Sequence, residues 1–243
     1  MKNSIKIFFK ELLIKFGFKL SRVNSYSDFG YQLNKSINFF KVNCIFDIGA
    51  NKGQFVYGLI RADYKGKVIS FEPLSSAYDE LIEKQKKTQI EWIVHEKCAI
   101  GDIEGEVEIF ISNNSASSSI LNMLDSHINA APESIYIGSE TVKIYTLDNL
   151  FHQYVCENSI TLIKIDAQGF ESNIIKGAHN ALVNAKGVLV EMSFVYLYEN
   201  QKLWEDIISI LKSYGFILWS IESELIDQET GRLLQANGLF YKQ

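Results

Sequence analysis

The ten residues Cys44 to Gly53, CIFDIGANKG, constrain the fold of this chain more than any other segment. A short apolar run, Cys44-Ile45-Phe46, reaches Asp47 and passes through Ile48-Gly49-Ala50-Asn51-Lys52-Gly53 into an apolar-periodic segment. That order spells strand, tight turn, helix. Glycines at such a turn let the backbone take positive φ and let a ligand lie where a Cβ would block it. In an open α/β sheet ligands bind outside the carboxyl ends of the strands, so residues 47–53 are expected to cradle a nucleotide-like cofactor.

A dinucleotide fingerprint would place G-x-G-x-x-G here, to hold a pyrophosphate on backbone N–H groups. This chain has D-I-G-A-N-K-G instead. An acid at the start of the turn repels a pyrophosphate and attracts an ammonium or sulfonium group, which favours S-adenosylmethionine over NAD. Val68-Ile69-Ser70-Phe71 reads as the next strand, closed by Glu72 ahead of Pro73. A carboxylate roughly twenty residues beyond the glycine turn suits ribose, because it accepts two hydrogen bonds from a vicinal diol.

With 243 residues, 47% hydrophobic and 22% charged, the chain can bury a substantial core and carries no signature of disorder. A net charge of −5 provides no overall basic field for a nucleic acid backbone. Cys44, Cys98 and Cys156 are odd in number and lie in or beside apolar runs, which predicts reduced, buried thiols in a cytoplasmic protein. Residues 1–20 set Ile5, Phe8, Phe9, Leu12, Leu13 and Phe16 near one helical face, with Lys2, Lys6, Lys10 and Lys15 mostly elsewhere. Lysines interrupt every apolar run, so this is an amphipathic helix and neither a secretory segment nor a span. It offers a cover for the core, a dimer contact or a peripheral seat on an anionic membrane. Residues 1–41 form a helical extension, with a second helix over 31–40, ahead of a domain at 42–243.

From Cys44 onward the pattern predicts a helix over 55–62, a strand over 67–71, a helix over 75–87 with Ser75 as N-cap, and a strand over 92–95. Cys98 to Asp102 fall near the carboxyl end of that third strand. The alternation implies a parallel sheet with right-handed crossovers. Val107–Ile111 and Val142–Tyr145 both read as edge strands around a long polar stretch, which predicts a lid or substrate loop at about 112–140. Its opening run, Ser112 to Ser119, carries hydroxyls and amides for a polyhydroxylated substrate, or serves as a solvated linker.

The second informative block is ITLIKIDAQGFESNIIKGA, residues 160–178. Leu162–Ile165 is a buried-strand pattern ending in Asp166, Gly169 permits a sharp turn, and Glu171 falls in the first turn of a helix over 170–178. The following strand, Gly187–Val190, ends in Glu191. Asp47, Glu72, Asp166 and Glu191 thus close four strands and predict an acidic crevice. A helix over 201–214 and strands over 216–220 and 237–242 complete the chain, the closing hairpin fitting an antiparallel edge strand.

FDIGANKGQF, FEP, TLDNL, IKIDAQGFESNIIKGA and VLVEMS, in this order over roughly residues 42–195, resemble the FkbM family of S-adenosylmethionine-dependent methyltransferases. The resemblance implies an α/β class I methyltransferase fold: a Rossmann-like, seven-stranded, mostly parallel sheet with an antiparallel last strand and helices on both faces. It implies O-methylation of a sugar, glycan precursor or related natural product, with S-adenosylmethionine as cofactor. Asp47, Gly49, Asn51 and Gly53, with Ala50 between them, would form the methionine-side loop. Glu72, followed by Pro73, would hold the ribose, and Ala99, Ile100 and Asp102 would neighbour the adenine. The acceptor would be chosen by residues outside these motifs, 1–40 and 112–140.

Methyl transfer from a sulfonium is an in-line displacement, and a hydroxyl needs a base to take its proton. Asp166 is the expected base and also a cofactor neighbour. Lys164 and Glu191 orient it, and His127 in the variable loop is the rival. Asp166, Glu171 and Glu191 could offer oxygen ligands to Mg²⁺, but Glu171 is more simply an acid at a helix N-terminus, so no metal is expected. The alternative from another class is a non-catalytic, cofactor-binding scaffold in a cell-surface polysaccharide complex.

Overall fold

A computed structural model describes residues 2–18 and 28–243. Helix α1 (Lys2–Lys15) forms as its periodicity predicts. Its expected extension to residue 20 and the side chains of Ile5 and Phe8 lie outside the described residues. Ile7, Ile14, Phe16 and Phe18 are exposed. Helix α2 (Phe29–Phe40) starts where Asp28 accepts a hydrogen bond from the Tyr31 amide, 2.8 Å away.

The domain is built on seven strands: β1 (Cys44–Ile48), β2 (Lys67–Phe71), β3 (Trp92–Val94), β7 (Thr161–Ile165), β8 (Gly187–Ser193), β9 (Phe216–Ile226) and β10 (Leu233–Lys242). Their order is β3-β2-β1-β7-β8-β10-β9, and β10 alone runs opposite to the other six. β1, β7 and β8 are buried at every position, as continuous apolar runs require in strands covered on both faces. Helices α2 and α3 (Gln54–Arg61) pack Leu33, Ile37, Val56 and Leu59 on one face. On the other, α6 (Leu147–Phe151), α7 (Glu171–Lys176), α8 (His179–Asn184) and α9 (Trp204–Ser213) supply Leu150, Ile174, Leu182 and Leu211. Helix α4 (Ser75–Gln85) shares its residues between the two layers, Ala77 in one and Leu81 in the other.

Several sequence expectations need correction. The last strand is not at the edge: β10 inserts between β8 and β9, because Leu239, Phe240 and Tyr241 all need burial while β9 alternates between covered and exposed positions. Val142–Tyr145 belongs to β6 (Tyr136–Thr146), the centre of a second sheet between β4 (Ala99–Gly101) and β5 (Gly105–Ser112). Residues 98–102 therefore do not continue β3. Pairing of residues 136–140 with β5 shortens the polar loop to 113–135, which contains helix α5 (Asp125–Ala130). Its serine run is no solvated linker, since Ser117, Ser118 and Ser119 are buried. Leu74, not Ser75, is the N-cap of α4; Ser75 instead donates from its amide and hydroxyl to Glu140, each at 2.7 Å. The helix expected over 170–178 forms as α7, and a further helix, α8, follows it. Cys44 and Cys98 are buried thiols, both pushed up to about 12 by burial, but Cys156 is exposed.

Candidate active site

The chain leaves β1 toward β3 in one direction and β7 toward β9 in the other, so the carboxyl ends of β1 and β7 border a topological switch point, where open α/β sheets bind ligands. After β1 the backbone takes φ of +72° at Gly49, +45° at Asn51 and +79° at Gly53. Gly49 is obligatory for a second reason: a Cβ there would stand 1.8 Å from the Asp166 carbonyl oxygen. The Gly49 and Ala50 amides donate to the Phe71 carbonyl at 3.1 and 3.0 Å, which fixes the turn against the end of β2.

Around this turn lies a cavity of about 350 Å³. Of the residues singled out in the sequence, Gly49, Ala50, Asn51, Glu72, Pro73, Ala99, Ile100, Lys164 and Asp166 line it, with Phe71, Leu74 and Phe170 as apolar wall. Glu72 is held in place by the Asn51 amide at 2.6 Å and the Leu74 amide at 2.9 Å. Burial outweighs these bonds and pushes its carboxyl up to about 7. Each oxygen keeps a lone pair that can accept from a ligand hydroxyl.

Asp47, Gly53, Glu191 and His127 are not on the wall of this cavity. Asp47 lies inside β1, one position before its end, and is fully buried. Its Oδ2 accepts from the Ser70 hydroxyl at 3.0 Å, and its Oδ1 stands 3.1 Å from Lys164 Nζ, in an ion pair not aligned as a hydrogen bond. Gly53 packs toward Trp92 and Leu81. His127, on α5, is buried edge-to-face against Tyr198 at 5.1 Å, and burial lowers its pKa. Asp102 pairs with Lys176 at 2.7 Å, away from the cavity.

Lys164 gathers the turn. Its ammonium donates to the Gly49 carbonyl at 2.9 Å and pairs with Asp47 and, at 3.4 Å, with Asp166. Burial alone would lower its pKa, but the two carboxylates outweigh that and hold it well above the usual range. The Asp166 side chain is 37% exposed, whereas Glu72 and Glu191 are 4% and 5% exposed. Glu171 binds the turn itself, its Oε1 accepting from the Ala167 amide at 3.0 Å and the Gly169 amide at 3.1 Å. Burial pushes it up to about 7.

Sequence reasoning missed Gln168, Tyr198 and Glu224. Gln168, at φ +52°, donates to Asp166 Oδ1 at 3.2 Å and Glu191 Oε2 at 3.0 Å, while its own Oε1 accepts from the Tyr198 hydroxyl at 2.9 Å. Tyr198 thus sets which way the amide points. Burial first, then the charges of Asp166 and Glu171, raise Glu191 well above the carboxylate range. Glu224 of β9 also lines the cavity, and burial raises it too. Gln168 stands inside the D-A-Q-G block and was available to inspection; Tyr198 and Glu224 carry no local signal. The loop over 113–135 supplies one wall of the cavity: Ser115 donates to Asn51 Oδ1 at 3.2 Å, and Ser119 donates to the Gln168 carbonyl at 2.7 Å. Among the described residues no three His, Cys, Asp or Glu side chains are grouped to hold a metal ion.

Residues 47–218 match the model of the methyltransferase FkbM domain. The chain is 25% identical over 179 residues, 71% of its length and 72% of the relative's, to the 2-O-methyltransferase NoeI of Sinorhizobium fredii. It is similar to the solved structure of TehB from Haemophilus influenzae (9% identity, 87% of this chain and 62% of that one, TM-score 0.49). It is also similar to an rRNA methylase from Streptococcus thermophilus (10% identity, 86% and 96%, TM-score 0.45).

Proposed function

Because the chain belongs to the FkbM methyltransferase family, with S-adenosylmethionine as its methyl donor, we propose that it methylates a hydroxyl of a sugar, glycan precursor or related natural product. The observation that carries the reading is the donor-sized cavity at the ends of β1 and β7, on which Asp166 is the half-open carboxylate beside Lys164. The 2-O-methyltransferase relative supports an oxygen acceptor, and the net charge of −5 disfavours a nucleic acid. In this reading residues 42–243 are the methyltransferase domain and 1–41 a helical extension, of which residues 1–20 serve a dimer or membrane contact. No helix among the described residues is long and apolar enough to cross a membrane.

The cavity residues suit the donor. Glu72 has lone pairs left for the ribose diol, Ala99, Ile100 and Leu74 offer apolar flanks to the adenine, and Gly49 to Asn51 present backbone to the methionine portion. Asp47 and Gly53 act from behind, by shaping the turn. When bound, S-adenosylmethionine supplies an electrophilic methyl group on a sulfonium. The protein's task is to hold the acceptor oxygen in line with that methyl, which in favourable cases removes about 7–11 kcal/mol of barrier. Asp166 accepts the hydroxyl proton; Lys164 stabilises its carboxylate, and Gln168 fixes its orientation. A base so placed contributes about 10²–10⁴-fold.

Calorimetry with S-adenosylmethionine, followed by labelled-methyl transfer to a panel of glycans and sugar nucleotides, tests the reading. Asp166→Asn should bind the donor normally and lose about 10²-fold or more in transfer, while His127→Ala keeps its activity. Full activity in Asp166→Asn would remove the residue from the reaction.

A further inference from the structure

We infer that the acceptor binds in a second cavity, of about 590 Å³, across Phe55 from the donor cavity, and that this cavity selects sugars lacking anionic groups. The inference rests on the methyltransferase reading of the donor site and names the acceptor's place within it. The volume falls in the roughly 300–1,000 Å³ span of small-molecule sites.

Three observations connect the two cavities. Phe55, on α3, lines both, and its ring lies 5.7 Å from Lys164 Nζ. Asn237, on the wall of the second cavity, donates to Glu224, on the wall of the first, at 2.9 Å. The sheet register sets Glu191 beside Asn237 and Asn237 beside Glu222, and Gln168 ties Glu191 to Asp166. A continuous polar row therefore runs along the sheet from the proton acceptor to the second cavity.

The lining has the chemistry of sugar recognition. Phe29, Tyr31 and Phe55 supply aromatic surface for C–H groups, while Asn34, Asn237 and Glu222 offer amide and carboxylate partners to hydroxyls. Among the described residues of this lining Arg61 is the only cation, against Asp28 and Glu222, with Glu224 just beyond. Burial, then repulsion from Glu224 and Asp28, raises the pKa of Glu222. A phosphate or uronate placed here would add to that repulsion. The serine-rich loop is a poor rival as acceptor reader, because its hydroxyls are engaged: Ser117 with Ser134 at 2.9 Å, Ser118 with the Ser112 amide at 2.9 Å, and Ser119 with Gln168.

Amide-resolved NMR of the full chain, saturated with S-adenosylhomocysteine and titrated with chitosan tetramer, cellotetraose or tetragalacturonate, tests this. The first two should shift the amides of Asn34, Gly58 and Asn237, with tetragalacturonate weaker by about tenfold or more. Gly58 faces the cavity with no atom within 4 Å of a Cβ built there. Gly58→Trp should therefore abolish the shifts and leave S-adenosylmethionine calorimetry unchanged. Shifts confined to residues 113–121, equal binding of tetragalacturonate, no shift with any probe, or undiminished binding in Gly58→Trp would each overturn the inference. Failure of the wild-type chain to bind S-adenosylmethionine would instead sink the donor-site reading, and this inference with it.

Discussion

Replacing Lys164 by methionine removes the cation that two carboxylates share while keeping the length of the side chain. Asp47 suffers most, since it is fully buried and would retain the Ser70 hydroxyl as its side-chain partner. Breaking a buried ion pair from one side costs about 3–5 kcal/mol, because a charge is left in a medium that cannot solvate it. The loss at Asp166 is small, as that carboxylate is 37% exposed and water can replace the ammonium. At about 2–4 °C per kcal/mol for a domain of this size, the thermal midpoint should fall by roughly 6–20 °C. Urea denaturation of the wild type, Lys164→Met, Asp47→Asn and the double variant supplies the measurement. The double variant buries no unpaired charge and should recover about 0.5–3 kcal/mol relative to the sum of the singles. A loss below about 1 kcal/mol in Lys164→Met, or strict additivity, would refute the claim that the pair is a buried structural clamp.

Stability should also depend on pH through Glu72 and Glu171, whose carboxyls are pushed up to about 7 from the ordinary 4.5. The native protein retains protons that the unfolded chain releases, so stability is greatest below pH 4.5 as far as these groups decide it, and it declines as pH rises toward 7; each group contributes on the order of 3 kcal/mol. Urea midpoints at pH 5 and pH 8 should show the fall, Glu171→Gln should flatten it, and a level profile would contradict the burial of these acids. Glycine substitutions should divide by position. Gly49→Ala drives a Cβ into the Asp166 carbonyl and should abolish donor binding by calorimetry with a loss of more than about 4 kcal/mol. Gly58→Ala, in the interior of α3 with open space around it, should raise stability by up to about 1 kcal/mol.

The strands that carry the site were legible because they are buried on both faces: CIFDI, KVISF and TLIKI stand out as apolar runs without needing knowledge of their neighbours. The position of β10 was not, since its pairing with both β8 and β9 is settled by which hairpin strand has more apolar surface to hide. The same holds for β4, whose three residues are a strand only by virtue of β6. Among the acids, the strand-end rule placed Glu72 and Asp166 on the cavity. It misdirected Asp47, which stands one residue short of the end of β1 and is covered by its register partner Lys164. Tyr198 and Glu224 reach the site from 30 or more residues beyond Gln168, a distance no local pattern encodes.

The two serine bonds of the loop over the cavity give the enzyme a latch at each end, one on the turn that faces the donor and one on the turn that carries Asp166. Any displacement of the loop along this wall breaks a bond to one of the two turns, so the loop and the turns move as one unit. The polar segment that looked like a reader of substrates is a brace between them.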